Sequence, residues 1–170
     1  MSNHSQPPGP VHRVAARLLP VSAGGQVLLL QGQDPARPGE LHWVSIGGAV
    51  ETGESVPEAA VREMREETGL VVATTALVGP VHRATHPFSW DGRDYVSDNH
   101  FWAVPLELDL AAEDAVSLDG LEAAEVGNVF GAAWWTPEAL RADGTGVTED
   151  LPDIMEAAVA AVRTAREDVT

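Results

Sequence analysis

The chain has 170 residues, 44% apolar and 21% charged, enough for one domain with a substantial core, and no apolar run approaches the length that spans a bilayer. Ten basic against 26 acidic residues give a net charge of −16, which repels a nucleic-acid backbone and sets long DNA or RNA aside as partners. Without cysteine there is no disulfide, thiolate nucleophile or cysteine-bearing zinc site.

The polar, proline-rich start, Met1 to Pro10, reads as a disordered arm over residues 1–11, with one domain over 12–170. It carries neither a basic leader nor an apolar stretch, so the cytoplasm is the expected location. Val14 to Val21 and Gln26 to Gln31 are apolar runs split by Ala23-Gly24-Gly25, which predicts a β-hairpin. Asp34 to Gly39 is a loop, and Leu41 to Ile46 is a short strand ending at Gly47-Gly48. A helix follows, announced by Ser55 as N-cap with Glu58 three residues on, by Pro57 in its first turn and by Gly69 at its end.

Further strands are expected at Val71 to His82 and Asn99 to Leu108, with Pro87 to Asp98 as a polar, aromatic-bearing turn between them. Ala111 to Asn128 is an acidic loop region and Val129 to Trp135 another strand. Thr136-Pro137-Glu138 caps a short helix, and Asp143 to Glu149 is a loop. From Pro152 to Arg166, Ile154, Met155, Ala158, Val159 and Val162 form one stripe, which predicts an amphipathic helix. The fold class is therefore α/β, a mixed sheet covered on both faces.

The chemistry concentrates between Gly48 and Leu70. On a helix, Glu63 and Glu67 lie one turn apart on one face with Glu66 beside them. Three carboxylates so close repel one another, and hard divalent cations such as Mg²⁺ or Mn²⁺ relieve that repulsion. Pro57, Val61 and Met64, with Ala60 at the edge, are expected to pack on the sheet and leave the acidic face to a cleft. Gly47-Gly48 allows close backbone approach, and the loop from Ala49 returns Glu54 to Arg62 as a brace.

This stretch resembles the Nudix box, G-x5-E-x7-R-E-U-x-E-E-x-G-U with U aliphatic, at every defined position, including Met64 and Leu70. At residue frequencies of about 7%, seven fixed identities recur by chance on the order of once per hundred million windows. The resemblance implies an α/β/α sandwich and Mg²⁺-dependent hydrolysis of a nucleoside diphosphate linked to some group X. Carried over by position, it implies that Glu63 and Glu67 bind metal, that Glu66 assists, that the Gly48 backbone adds a ligand, and that Glu54 and Arg62 hold loop to helix. Ile46 departs from the proline that many members carry before the paired glycines.

A base from a distant loop is also expected, with Glu122 or Glu125 as candidates by position. Trp90 is one of several aromatics suited to base stacking, and Arg83 and Arg93 are candidate phosphate contacts. Of Trp134 and Trp135, strand alternation sends one to each face. His82 and His86 have a metal-like spacing, but their strand context argues against zinc. The expected partner is a small nucleotide-type substrate, with the chain a monomer or homodimer. A non-catalytic nucleotide sensor is the alternative; an isopentenyl diphosphate isomerase, which shares this fold, would need a catalytic cysteine.

Overall fold

In the computed structural model, which describes residues 8–106, 116–123 and 125–168, seven strands form a mixed sheet flanked by three helices. Of the expected N-terminal arm, residues 1–7 lie outside the described part, and β1 begins at Val11, inside the boundary expected for that arm. The predicted first hairpin forms from β1 (Val11–Val21) and β2 (Val27–Gly32), with Val21 facing Val27.

The single strand expected at Leu41 to Ile46 is two. β3 (His42–Val44) pairs with β2, whereas β4 (Ile46–Ala49) crosses to pair with β1. The residue between them, Ser45, is where the sheet divides. Gly47 at φ +144° lies so close to β1 that an added Cβ would be 2.0 Å from the Ala16 carbonyl oxygen.

The helix expected from Ser55 is α1 (Val56–Thr68), with the Ser55 hydroxyl accepting from the Glu58 N–H and Gly69 left-handed at φ 75°. Its packing face differs from the expected one. Val56, Ala59, Ala60 and Met64 meet the sheet, Val61 and Pro57 are only half-buried, and Glu63 and Glu67 lie buried beside the apolar stripe.

Beyond α1 the chain makes a 3₁₀ turn (Thr74–Ala76) before β5 (Val78–Trp90), so the strand expected from Val71 starts later and runs further. β6 (Arg93–Pro105) returns antiparallel to it. The segment read as a turn, Pro87 to Asp98, is mostly ladder, and the turn itself is Asp91-Gly92, both at positive φ. Pro87 is tolerated because β5 ends the strand order and leaves one side of its backbone unpaired.

β6 runs parallel to β1 along eleven residue pairs, from Val11 with Tyr95 to Val21 with Pro105. Within the acidic region, residues 107–115 and Ala124 lie outside the described part; hydrogen bonds from the Glu125 and Val126 N–H groups to the Glu122 carbonyl, and from Asn128 and Val129 to the Glu125 carbonyl, form the turns leading into β7 (Val129–Trp135), which pairs with β2. Helices α2 (Pro137–Asp143) and α3 (Leu151–Glu167) complete the chain.

Two cores hold the layers together. Leu19, Val21, Leu29 and Phe101 pack against the predicted stripe of α3, while Leu18, Leu28, Leu30 and Ile46 pack against α1. Trp135 joins the first core, edge-on to Trp43 at 5.4 Å, and Trp134 the second, as strand alternation requires. Neither lines the cleft. No helix among the described residues is long and apolar enough to cross a membrane.

Candidate active site

Glu63 and Glu67 are 6% and 3% exposed, and both line a cleft of about 700 Å³ that runs across β1, β4, β5 and β6. The loop after β6 adds two more acids. Ser117 N–H donates to the Thr68 carbonyl at 2.8 Å, and Gly120 packs so tightly that an added Cβ would sit 2.8 Å from the Glu66 carbonyl oxygen. Docked on the end of α1 in this way, the loop delivers Glu122 and Glu125 from the following turn.

Two overlapping clusters result, Glu63 with Glu67 and Glu125, and Glu63 with Glu66 and Glu122, each with carboxylate oxygens within 4.8 Å of one another. Burial pushes the Glu67 carboxyl well above the ordinary range, with Glu125 and Glu63 adding to the shift. Burial, then Glu63, also raises Glu66 and Glu125. Buried carboxylates at this spacing are unfavourable when ionised and alone, and an all-oxygen donor set is what a hard divalent cation requires. The residues present therefore fit such an ion, and Gly48 lies against them, since a Cβ there would meet Glu63 Oε1 at 2.6 Å.

Arg62 forms the expected brace and more. Its Nε and Nη2 grip Glu54 at 2.8 and 3.0 Å, Nη2 also donates to the Ala49 carbonyl at 3.1 Å, and Nη1 reaches Glu63 at 2.9 Å and Glu66 at 3.2 Å. The fork holds the Glu54 carboxyl below its usual range and raises the already high Arg62 value.

Arg17, on β1, donates to the carbonyls of Ser45 and Gly47, both at 3.3 Å, and so pins the point where β3 and β4 divide. Gly47 N–H in turn donates to Glu67 at 3.3 Å. Burial lowers the Arg17 value, with Glu67, Glu63 and Glu125 opposing. The sequence alone did not single out Arg17 or Arg13; the available signal was two arginines four residues apart, and so on one face, in a largely apolar strand.

The remaining candidates separate. Trp90 lines the cleft. Arg83 does not: its guanidinium pairs with Asp98 at 2.7 and 3.0 Å on the opposite face of the hairpin, which corrects the expectation that it reaches phosphate in this cleft. Arg93 is exposed beside the Asp91-Gly92 turn and is also outside the cleft lining. His82 packs on Phe101, whereas His86 enters the cleft and bonds Asp150 and Asn99, so the two do not converge on a metal.

The sequence matches the family model for the NUDIX domain over residues 11–156. The chain belongs to the NUDIX family. It is 44% identical over 54 residues to an uncharacterized Nudix hydrolase, YvcI, of Bacillus subtilis, covering 32% of this chain and 31% of that protein. To the oxidized purine nucleoside triphosphate hydrolase of Danio rerio it is 36% identical over 78 residues, 46% of each chain. These matches thus span less than half the length of either relative.

The solved structures extend the likeness over nearly the whole fold. A MutT protein from Methanosarcina mazei Go1 superposes with a TM-score of 0.61 at 19% identity, over 96% of this chain and 100% of that one. The E. coli dihydroneopterin triphosphate pyrophosphohydrolase gives 0.62 at 18% identity, over 88% and 98%. At such identities the likeness establishes the α/β fold.

Proposed function

We propose that this NUDIX chain is a divalent-metal-dependent pyrophosphohydrolase acting on a nucleoside diphosphate linked to a group X. The observation that carries the reading is the assembly of Glu63, Glu66 and Glu67 from α1 with Glu122 and Glu125 from a distant loop, of which Glu63, Glu67, Glu122 and Glu125 line the cleft. Glu63, Glu67 and the Gly48 backbone would hold Mg²⁺ or Mn²⁺, with Glu66 completing the set. Such ions supply charge neutralisation at phosphorus and a more acidic bound water.

The chain's own residues then have distinct parts. Arg62 fixes the carboxylates of Glu63 and Glu66 relative to the loop that carries Glu54. Arg17 fixes the carbonyl strand that carries Gly47 and orders Glu67 through it. Glu125 is the group we assign to accepting the proton of the attacking water, because it lines the cleft beside Glu63 and Glu67 and, among the described residues, is free of any arginine ion pair. Glu122, more exposed, is assigned a supporting charge.

The relatives widen rather than narrow the choice of X, since one is named for oxidised purine nucleoside triphosphates and a structural neighbour for dihydroneopterin triphosphate. The test is a phosphate-release screen with Mg²⁺, with Mn²⁺ and with chelator, across triphosphates, oxidised triphosphates, ADP-ribose, NADH, nucleotide sugars and dinucleoside polyphosphates. Metal-dependent release from at least one, lost in Glu67→Gln, is expected. Tight binding without release across the panel would instead make the chain a nucleotide sensor.

A further inference from the structure

Within the cleft, the Arg13 guanidinium lies over the Phe88 ring, its Cζ 4.8 Å from the centroid and 5.9 Å from that of Tyr95, and Tyr95 stacks on Phe88 at 5.0 Å and 12°. The side chain is anchored by a hydrogen-bond chain of one polarity. Arg13 Nε donates to Ser97 Oγ at 3.4 Å, the Ser97 hydroxyl to Asn99 Oδ1 at 2.8 Å, and Asn99 Nδ2 to His86 Nδ1 at 3.1 Å. His86 Nε2–H is left to donate to Asp150 at 3.0 Å.

Two facts give this assembly a ligand. In a chain with 26 acidic residues, Arg13 forms no ion pair among the described residues, and its two Nη groups have no hydrogen-bond partner there. Phe88, Tyr95, Ser97 and Asn99 all line the cleft with it. Arg13 and Arg17 stand four residues apart on β1, on the same face and with Cα atoms about 13 Å apart, and the Arg13 guanidinium is near enough to Arg17 and Glu63 to feel both charges.

We propose that Arg13, held against Phe88 and Tyr95, seats the heterocyclic base of the substrate and is its specificity-determining residue, favouring 6-oxopurines over adenine. This rests on the reading of the cleft as a nucleotide site. A guanidinium fork only donates, and a 6-oxopurine presents two adjacent acceptors, O6 and N7, which match the paired Nη groups. Adenine replaces O6 with an amino donor and leaves one Nη unpaired. The anchored ring and fork are fixed before ligand arrives, which lowers the ordering cost of binding.

Calorimetric titration of the full chain with GMP, IMP and AMP in Mg²⁺ tests this. Wild type is expected to bind GMP and IMP about tenfold more tightly than AMP. In Arg13→Lys, which keeps the charge and loses the fork, the preference should fall to about twofold or less. Phe88→Leu, which removes the ring under the Arg13 guanidinium, should weaken GMP and IMP more than AMP and so lower the preference as well. No measurable binding of any monophosphate by wild type, equal binding of all three, or a preference that survives in Arg13→Lys overturns the proposal. Monophosphates carry no anhydride, so the result is independent of turnover. A base preference without phosphate release in the screen would sink the hydrolase reading alone, and release without preference would sink this one alone.

Discussion

Replacing Glu67 with Gln should reverse the stability order of variant and wild type when metal is added. Glu67 is 3% exposed, and its carboxylate oxygens lie within 4.8 Å of those of Glu63 and Glu125. Two unit charges 4.8 Å apart repel by about 3.5 kcal/mol at an effective dielectric of roughly 20. Arg17 nearby offsets part of this, and partial protonation of the raised Glu67 carboxyl absorbs more, so neutralising the group should stabilise the metal-free protein by about 1–2 kcal/mol.

For a chain of this size that is a rise in Tm of about 2–8 °C. Because the folded-state value is raised, the favourable protonated form is fully present below the unfolded carboxylate range and is lost as pH rises through the folded value. The gap in favour of the variant should thus widen from acid to neutral pH. Saturating Mg²⁺ should then stabilise wild type, by about 2.7 kcal/mol at a hundred times the dissociation constant, and the variant much less. Thermal unfolding in chelator and in Mg²⁺ measures both arms, alongside phosphate release, expected to drop at least about 100-fold. A variant destabilised in chelator, or one retaining the wild-type Mg²⁺ shift, would refute the argument.

Arg62→Lys keeps a charge but loses the two-pronged grip on Glu54, and chemical denaturation should show a loss of about 1–3 kcal/mol together with reduced turnover. Gly48→Ala places a methyl 2.6 Å from Glu63 Oε1 and 2.8 Å from its Cδ, so the carboxylate must turn aside, away from the like-charged Glu67 and Glu125 as well as from Arg62. The expected result is a nearly unchanged Tm with Mn²⁺ affinity, read by calorimetry, lower by about 10- to 100-fold. Arg83→Ala should leave kcat/KM within about twofold, since its partner Asp98 faces away from the cleft. Arg83 holds the Asp98 carboxyl low, so the pair contributes at neutral pH and its contribution fades as pH falls through the lowered Asp98 value; for so exposed a pair the Tm change should stay small.

What the sequence determined by itself was local. Glu63, Glu66 and Glu67 were legible because helical periodicity alone sets their proximity, and Ser55 and Gly69 mark the ends of that helix through bonds to residues three and four away. The Glu54 brace was legible because a glycine-bearing loop leaves a short return path to Arg62. The hairpin tip was misjudged because polar residues and Pro87 suggested a loop, whereas an edge strand tolerates both and needs only Asp91-Gly92 to turn.

Tertiary structure decided the rest. Glu122 and Glu125 had no helical period tying them to Glu63; the packing of Ser117 and Gly120 on the end of α1 brings them there. Strand pairing does the same for the Arg13 assembly: the parallel register sets Arg13 beside Ser97 and Ala15 beside Asn99, residues 84 apart in sequence. No spacing within a single segment encodes that register, because it is fixed by which apolar faces the two strands must bury against α1 and α3.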